Sequence, residues 1–194
     1  MKKLNTMISM FIVLVLIVGC SPKGVPNAKN WQINDFTYTN QENKQFGLQD
    51  LKGKVWIADF VFTNCTSVCP PMTANMSKLQ KKLKDEGIKD VELISFSIDP
   101  ETDTPEVLKD YGRKYNADFS NWHFLTGYSQ AEIEKFAQED FKAFVKKPES
   151  DDQVIHGTDF YLVDQNGKII QYYTGLADIP MDEIVKHIKI LQNY

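Results

Sequence analysis

The feature that most constrains this chain is the run VWIADFVF at Val55–Phe62, followed at once by TNCTSVCPPM at residues 63–72. A nearly continuous apolar stretch, rich in branched and aromatic side chains, suits a strand covered on both faces in the middle of a sheet. Asp59 is the one charged residue in it. Pro70 and Pro71 favour a helix start, because proline in the first turn has no needed N–H to lose. Met72, Met76, Leu79 and Leu83 recur on one helical face, Lys78, Lys81, Lys82 and Lys84 occupy the wet side, and Gly87 offers a stop. Cys65 and Cys69 therefore lie where a buried strand hands over to a helix.

The rest of the chain alternates in the same way. Asp35–Thr39 and Gln45–Leu51 read as short strands or a hairpin around Asn40–Lys44, and Val91–Ile98 as the next buried strand. Asp99–Thr104 is a turn in which Asp103 or Thr104 can cap a helix over Pro105–Tyr115. A short strand follows near Trp122–Leu125, and Ser129, with Glu132 placed for a capping box, opens a helix over Gln130–Gln138. Phe141–Val145 reads as extended and Lys146–Gln153 as a charged loop. Phe160–Val163 and Lys168–Tyr173 flank Gln165-Asn166-Gly167, a hairpin signal, and Pro180–Leu191 is a last helix. This order predicts an α/β domain: a mixed central sheet, parallel first and antiparallel last, flanked by helices, with an N-terminal strand or hairpin extension. A cysteine pair between the first buried strand and its helix is the thioredoxin-like arrangement.

The N-terminus reads differently. Lys2 and Lys3 precede the apolar run ISMFIVLVLIV, which is short for a bilayer span, and Ile17-Val18-Gly19-Cys20 follows. A charged start, a short apolar core and a small residue before the cut make an export signal. The cysteine makes it resemble a bacterial lipoprotein signal, with residues 1–19 removed, Cys20 lipidated and residues 20–30 a tether. A plain signal peptide or a membrane helix are the other readings. The domain, residues 31–194, then faces outward, where disulfides persist. The formal charge of −4, with no basic stripe, argues against a nucleic-acid partner.

With Cys20 assigned to lipid, Cys65 and Cys69 remain. As a staple they would close a loop of only three intervening residues, which restrains the unfolded chain little. A helix N-terminus favours thiolate, the form that attacks disulfides and binds metal, and Cys69 sits at that point, with Cys65 in the preceding turn. Thioredoxin-like pairs are C-x-x-C; the extra residue here widens the turn, so the sulfurs can bond to each other or open around an ion. Cu(I) prefers thiolate and Cu(II) prefers an added imidazole. Of the three histidines, His187 reads as solvated beside Lys186 and Lys189, and His123 as either core or surface. His156, in VIHGTDFYLV, lies in the segment that approaches the redox loop of thioredoxin-like folds. That segment usually carries a cis-proline, yet no proline occurs here between Pro148 and Pro180.

FTNCTSVCPPM, SFSIDPETDTPEVLKDY, Leu125-Thr126-Gly127 and VIHGTDFYLVDQNGKI, in this order, resemble the Sco/SenC family from about Phe36 to the C-terminus. These are thioredoxin-like, membrane-tethered copper proteins needed to build the binuclear copper (CuA) centre of cytochrome c oxidase. The resemblance implies Cys65, Cys69 and His156 as ligands of one copper, Cu(I) or Cu(II), per chain. Its implied partner is the copper-bearing oxidase subunit, and because an oxidised Cys65–Cys69 bridge cannot bind copper, loading needs an extracytoplasmic thiol reductant; at the outer face of the membrane a lipid anchor here replaces the transmembrane helix of many relatives. A second reading makes the pair a thiol-disulfide oxidoreductase that reduces the cysteines of the apo-oxidase copper site. A third, a peroxiredoxin-like peroxidase, needs an arginine-assisted thiolate, and Arg113 falls within a helix segment. Met72 and Met76 fit core packing better than ligation. Asp59 can tune a thiol, accept a proton or be a structural acid.

Overall fold

The buried strand and the helix after it form where the apolar pattern puts them. In the computed structural model of the chain, residues 24–148 and 153–192 are described, so the signal segment, Cys20 and part of the charged loop lie outside the described residues. The N-terminal elements are β1 (Trp31–Gln32), β2 (Thr37–Asn40), β3 (Gln45–Gly47), β4 (Val55–Val61) and α1 (Cys69–Asp85). Then come β5 (Val91–Ser97), α2 (Pro105–Lys114), β6 (Trp122–Thr126), α3 (Gln130–Asp140), β7 (Val145–Lys146) and β8 (Ile155–His156). The C-terminal part is β9 (Asp159–Val163), β10 (Lys168–Thr174) and α4 (Met181–Gln192).

The main sheet has the order β1-β10-β9-β4-β5-β6-β2-β3. β4, β5 and β6 run parallel, while β9 and β10 add antiparallel on one side and β2 and β3 on the other. This is the expected mixed sheet, with β2–β3 as the hairpin extension. β4 is buried at every position. Its alternation divides the core: Trp56, Ala58 and Phe60 face a cluster containing Ile133, Phe136 and Ala137 of α3. Val55 and Ile57 face the opposite cluster, with Met72, Met76 and Leu79 of α1 and Ile184 and Ile188 of α4. By the same alternation Asp59 points towards the α1 face.

Local signals explain the ends. Thr104 Oγ1 accepts from Val107 N–H at 3.3 Å, and the Ser129–Glu132 capping box forms in both directions, at 3.2 and 2.8 Å. Gly87, at φ +68°, follows α1 as its stop. In the β9–β10 turn, Asp164 Oδ1 accepts from the N–H groups of Asn166 (2.9 Å) and Lys168 (2.8 Å).

Three expectations change. The stretch Phe141–Val145 is strand only at its last residue: α3 continues to Asp140, Phe141 closes it, and β7 begins at Val145. The reason is aromatic packing, for the Phe141 ring meets Phe60 edge-on at 5.2 Å and Phe96 at 5.7 Å. The second half of the expected tether lies on the domain, where Val25 is 6% exposed and Lys29 N–H donates to Ile170 O at 2.9 Å. His187 is not solvated: it faces inward at 5% exposure, with Nδ1 2.6 Å from Tyr173 Oη. Its lysine neighbours in sequence lie on other sides of the helix, and the apolar face of α4 carries it inward. Among the described residues no helix is long and apolar enough to cross a membrane.

Met72 and Met76 are wholly buried in the core, as their spacing implies. Met76→Ala should cost about 2–5 kcal/mol by urea unfolding, whereas Met76→Leu should cost less than about 1.5 kcal/mol. A ligand methionine would instead show itself as a loss of metal affinity in both variants.

Candidate metal centre

β4 and β5 end side by side, and the loop from Phe62 to Val68 crosses from β4 to α1. The α1 N-terminus has no side-chain oxygen cap, since Val68 occupies the cap position. Cys65 Sγ stands in for one: it accepts the Cys69 N–H at 3.3 Å and lies 3.9 Å from Ser67 Oγ. The sulfur nearest the helix dipole is therefore that of Cys65, although Cys69 is the first helical residue.

The two thiols are thereby made unequal, in the opposite sense to the sequence reading. Burial works to raise the Cys65 pKa, but hydrogen bonds from the Cys69 thiol and from the N–H groups of Cys69, Ser67 and Val68 outweigh it and bring the net value down. The Cys69 thiol is driven far up by burial and by donating to Cys65. Sequence position places Cys69 at the dipole, but the helix folds its side chain into the core at 0% exposure. Neither cysteine is in a disulfide.

The loop is held from below. Asp103, wholly buried in the β5–α2 turn, accepts Thr63 Oγ1 at 2.5 Å and Ser97 Oγ at 2.6 Å, and Thr63 N–H lies 3.3 Å from each of its oxygens. Burial raises its pKa, while Ser97 and Thr63 oppose the rise. Asp103 was one of two possible caps for α2; Thr104 takes that task and frees it to fix the cysteine loop.

His156 arrives from the β7–β8 ribbon, in which Val145 pairs with His156. Its Nε2 is 3.3 Å from Cys69 Sγ, and its Nδ1 is 2.7 Å from Gly157 O. Nδ1–H donates to that carbonyl, so Nε2 presents a lone pair to the sulfurs. The Phe62 ring stands edge-on to the imidazole at 6.0 Å. Burial lowers the His156 pKa, and the Gly157 carbonyl only partly opposes this, so the ring is neutral at neutral pH. Cys65 Sγ, Cys69 Sγ and a His156 nitrogen all lie within 4.8 Å of one another, and no other such group of metal-ligating side chains occurs among the described residues. Two sulfurs and a neutral imidazole form a soft, mixed donor set suited to copper.

The other candidates separate from this cluster. His123 Nε2 pairs with Glu92 Oε2 at 3.2 Å while its ring stacks on Phe46 at 4.1 Å. Arg113 is exposed and bonded to Asp110 at 3.0 Å. Neither carboxylate oxygen of Asp59 has a hydrogen-bond partner among the described residues. Ser95 lies opposite in register; its Oγ accepts the Trp122 indole N–H at 3.0 Å, which leaves its own O–H to face the carboxyl. Burial consequently raises the Asp59 pKa to about 7, with Ser95 only moderating the rise, and any negative charge there raises Cys69 further.

The description of the SCO1/SenC family matches residues 26–192. The chain belongs to the SCO1/SenC family. A SCO1/SenC family lipoprotein from Bacillus anthracis is 52% identical, with a TM-score of 0.84 over 87% of this chain and 99% of that one. BsSco, a member of the Sco family of cytochrome c oxidase assembly proteins in which a disulfide switch was identified, is 52% identical, with a TM-score of 0.81 over 87% and 98%. Copper-bound ScoI from Bradyrhizobium japonicum is 26% identical, with a TM-score of 0.68 over 82% and 99%. The thioredoxin-like fold of this Sco chain is thus shared across wide sequence divergence.

The thiol asymmetry predicts that a limiting amount of alkylating agent modifies Cys65 before Cys69. Peptide mapping at pH 7–8 should give at least a roughly tenfold preference, in keeping with thiolate control of reactivity; equal labelling would contradict the assignment. Asp59 predicts a pH dependence of stability. Its folded pKa, raised above that of the unfolded chain, stabilises the fold only while the carboxyl is protonated in the unfolded chain too. That contribution is lost as pH rises from about 4 to about 7, with a ceiling of about 4 kcal/mol. Asp59→Asn should therefore gain stability over the parent at pH 8 and gain little at pH 4, measured by urea unfolding of the reduced protein.

Proposed function

We propose that this Sco protein is a copper metallochaperone for the binuclear copper (CuA) centre of cytochrome c oxidase. The observation that carries the reading is the meeting of Cys65 Sγ, Cys69 Sγ and His156 within 4.8 Å. Support comes from the copper held by ScoI and the oxidase-assembly description of BsSco. Copper is the cargo, about one per chain, since there is one such donor set among the described residues. Loading removes the protons of both thiols, so affinity falls as pH falls. The imidazole adds little proton cost, because burial already keeps it neutral.

The reading extends to the attachment. Residues 1–19 are an export signal, Cys20 carries lipid, and the domain works on the extracytoplasmic face of the membrane. The lipoprotein from Bacillus anthracis supports this anchoring. The oxidase partner is the copper-bearing subunit.

A second reading is favoured by the unequal thiols. A Cys65 thiolate can attack a disulfide of the apo-oxidase copper site, releasing one target thiolate and forming a mixed disulfide. Cys69, once deprotonated, then attacks Cys65 and frees the second target thiol. The target gains two electrons and the chain is left with a Cys65–Cys69 bridge, which an external thiol reductant must open. The disulfide switch of BsSco supports such a bridge.

A copper titration of the purified, reduced protein separates the two. One equivalent of Cu(II) should give a thiolate-to-copper absorption band and, at a free concentration near 100 times Kd, about 2.7 kcal/mol of added stability. His156→Ala should abolish the band while leaving the Cys65–Cys69 bridge able to form. Zinc, the control ion, should bind more weakly. If His156→Ala keeps full copper affinity and oxidase assembly while each cysteine variant loses assembly, the reductase reading replaces the chaperone.

A further inference from the structure

The ribbon carrying His156 is small. Val145 pairs with His156 and Lys146 with Ile155, and Gly157 N–H donates to Phe144 O at 3.2 Å. A two-stranded ribbon of this size is at best marginal alone, so its place over the cysteine loop must be fixed from outside.

Val145 packs into the core and Lys146 Nζ lies 2.9 Å from Glu134 Oε2, and Lys147, directly after β7, adds a fixing point on the β5–α2 turn. Its Nζ lies 2.7 Å from Asp99 Oδ1 and 3.4 Å from Glu101 Oε2, and its backbone N–H donates to Glu134 Oε1 at 2.9 Å. The Asp99 side chain is almost wholly buried, at 3% exposure, and that of Lys147 is mostly covered, at 19%. An ion pair so placed is screened less than a surface pair, and an unpaired Asp99 would be costly.

Asp99 belongs to the turn that also contains Asp103, and Asp103 N–H donates to Asp99 O at 2.9 Å. One turn thus grips both halves of the metal centre. Asp103 holds the cysteine loop through Thr63, and Asp99 holds the histidine ribbon through Lys147. A further tie, from Gln153 Nε2 to Asn64 O at 3.2 Å, joins the ribbon to the loop directly, so loss of the Lys147 side chain would loosen the ribbon without releasing it.

We propose that Lys147 is a positioning residue: its ion pair with Asp99 sets the His156 imidazole against the two sulfurs and so tunes the centre towards Cu(II). This rests on the reading of Cys65, Cys69 and His156 as copper ligands. The selectivity follows from ligand preference. Two thiolates satisfy Cu(I), whereas Cu(II) needs the imidazole, so a displaced ring weakens Cu(II) binding alone.

The test compares the parent protein with Lys147→Met, Lys147→Arg, His156→Ala and the double variant Lys147→Met/His156→Ala, titrated separately with Cu(II) and with Cu(I). Lys147→Met should lose about tenfold or more in Cu(II) affinity, the usual scale for a residue supporting a metal ligand. It should keep Cu(I) affinity within about threefold, because the dithiolate is untouched. A tenfold loss confined to Cu(II) raises the copper reduction potential by about 59 mV. Lys147→Arg should restore the parent behaviour, and Lys147→Met should have no further effect once His156 is alanine. No loss, or equal losses for the two ions, overturns the proposal.

Amide hydrogen exchange of the metal-free protein gives a second decision. The Gly157 N–H should exchange faster in Lys147→Met while the amides of β4 and β5 are unchanged; parent-like protection at Gly157 overturns the latch. If His156→Ala leaves Cu(II) binding intact, the ligand reading has failed, and the exchange result still decides whether Lys147 holds the ribbon.

Discussion

The candidate metal centre depends on one substitution of chemistry at a helix end: a sulfur where most helices use an oxygen cap. The first N–H groups of α1 need an acceptor, and Cys65 Sγ supplies it at 3.3 Å from Cys69 N. This contact fixes the position of the outer sulfur and favours its charge. It also requires Cys69 to continue the helix inward, where its own thiol is hard to ionise. A widened C-x-x-x-C turn permits this because the intervening residues can turn their N–H groups towards Cys65, two of which, from Ser67 and Val68, lower its pKa. The unequal thiols and the convergent donor set are two results of the same short loop.

The loop in turn stands on a buried carboxylate. Asp103 receives hydrogen bonds from Thr63 and Ser97 and is wholly enclosed. A buried carboxylate without donors would cost several kcal/mol or take up a proton, so its neighbours hold it as firmly as it holds them. Asp59 is the contrasting case. It has only Ser95 to moderate its burial, its pKa is raised to about 7, and it lies on the α1 face of β4. One acid is a fastening, while the other is a charge the fold only partly tolerates.

Much of this was legible in the residues. The unbroken apolar run of Val55–Phe62 announces a central strand, Pro70 and Pro71 announce the helix, and Gln165-Asn166-Gly167 announces the hairpin, because each is a local rule. The strand order was less legible, since β2 and β3 lie at the far edge beside β6, a pairing between distant segments. The ionisation order of the cysteines was not legible, because it depends on which sulfur the helix turns inward. Nor was the inward face of His187, where two adjacent lysines suggested solvent but the packing of α4 against Tyr173 decides. Lys147 sat in a charged loop whose sequence gives no hint of Asp99, 48 positions earlier.

What makes a thioredoxin-like frame into a metal centre is the histidine, not the cysteines. A dithiol at a strand-to-helix junction can exchange disulfides without any third group, and His156 adds nothing to the electron count of that exchange. Its place fits the proposed copper site. Nδ1 is committed to Gly157 O, Nε2 faces Cys69 Sγ, and burial keeps the ring neutral, which are the conditions a metal ligand needs. The same two sulfurs cannot bridge each other and bind an ion as thiolates at once. Under the proposed function, copper loading and disulfide formation would therefore compete for one pair of atoms, and the redox state of Cys65 and Cys69 would decide whether the histidine has anything to hold.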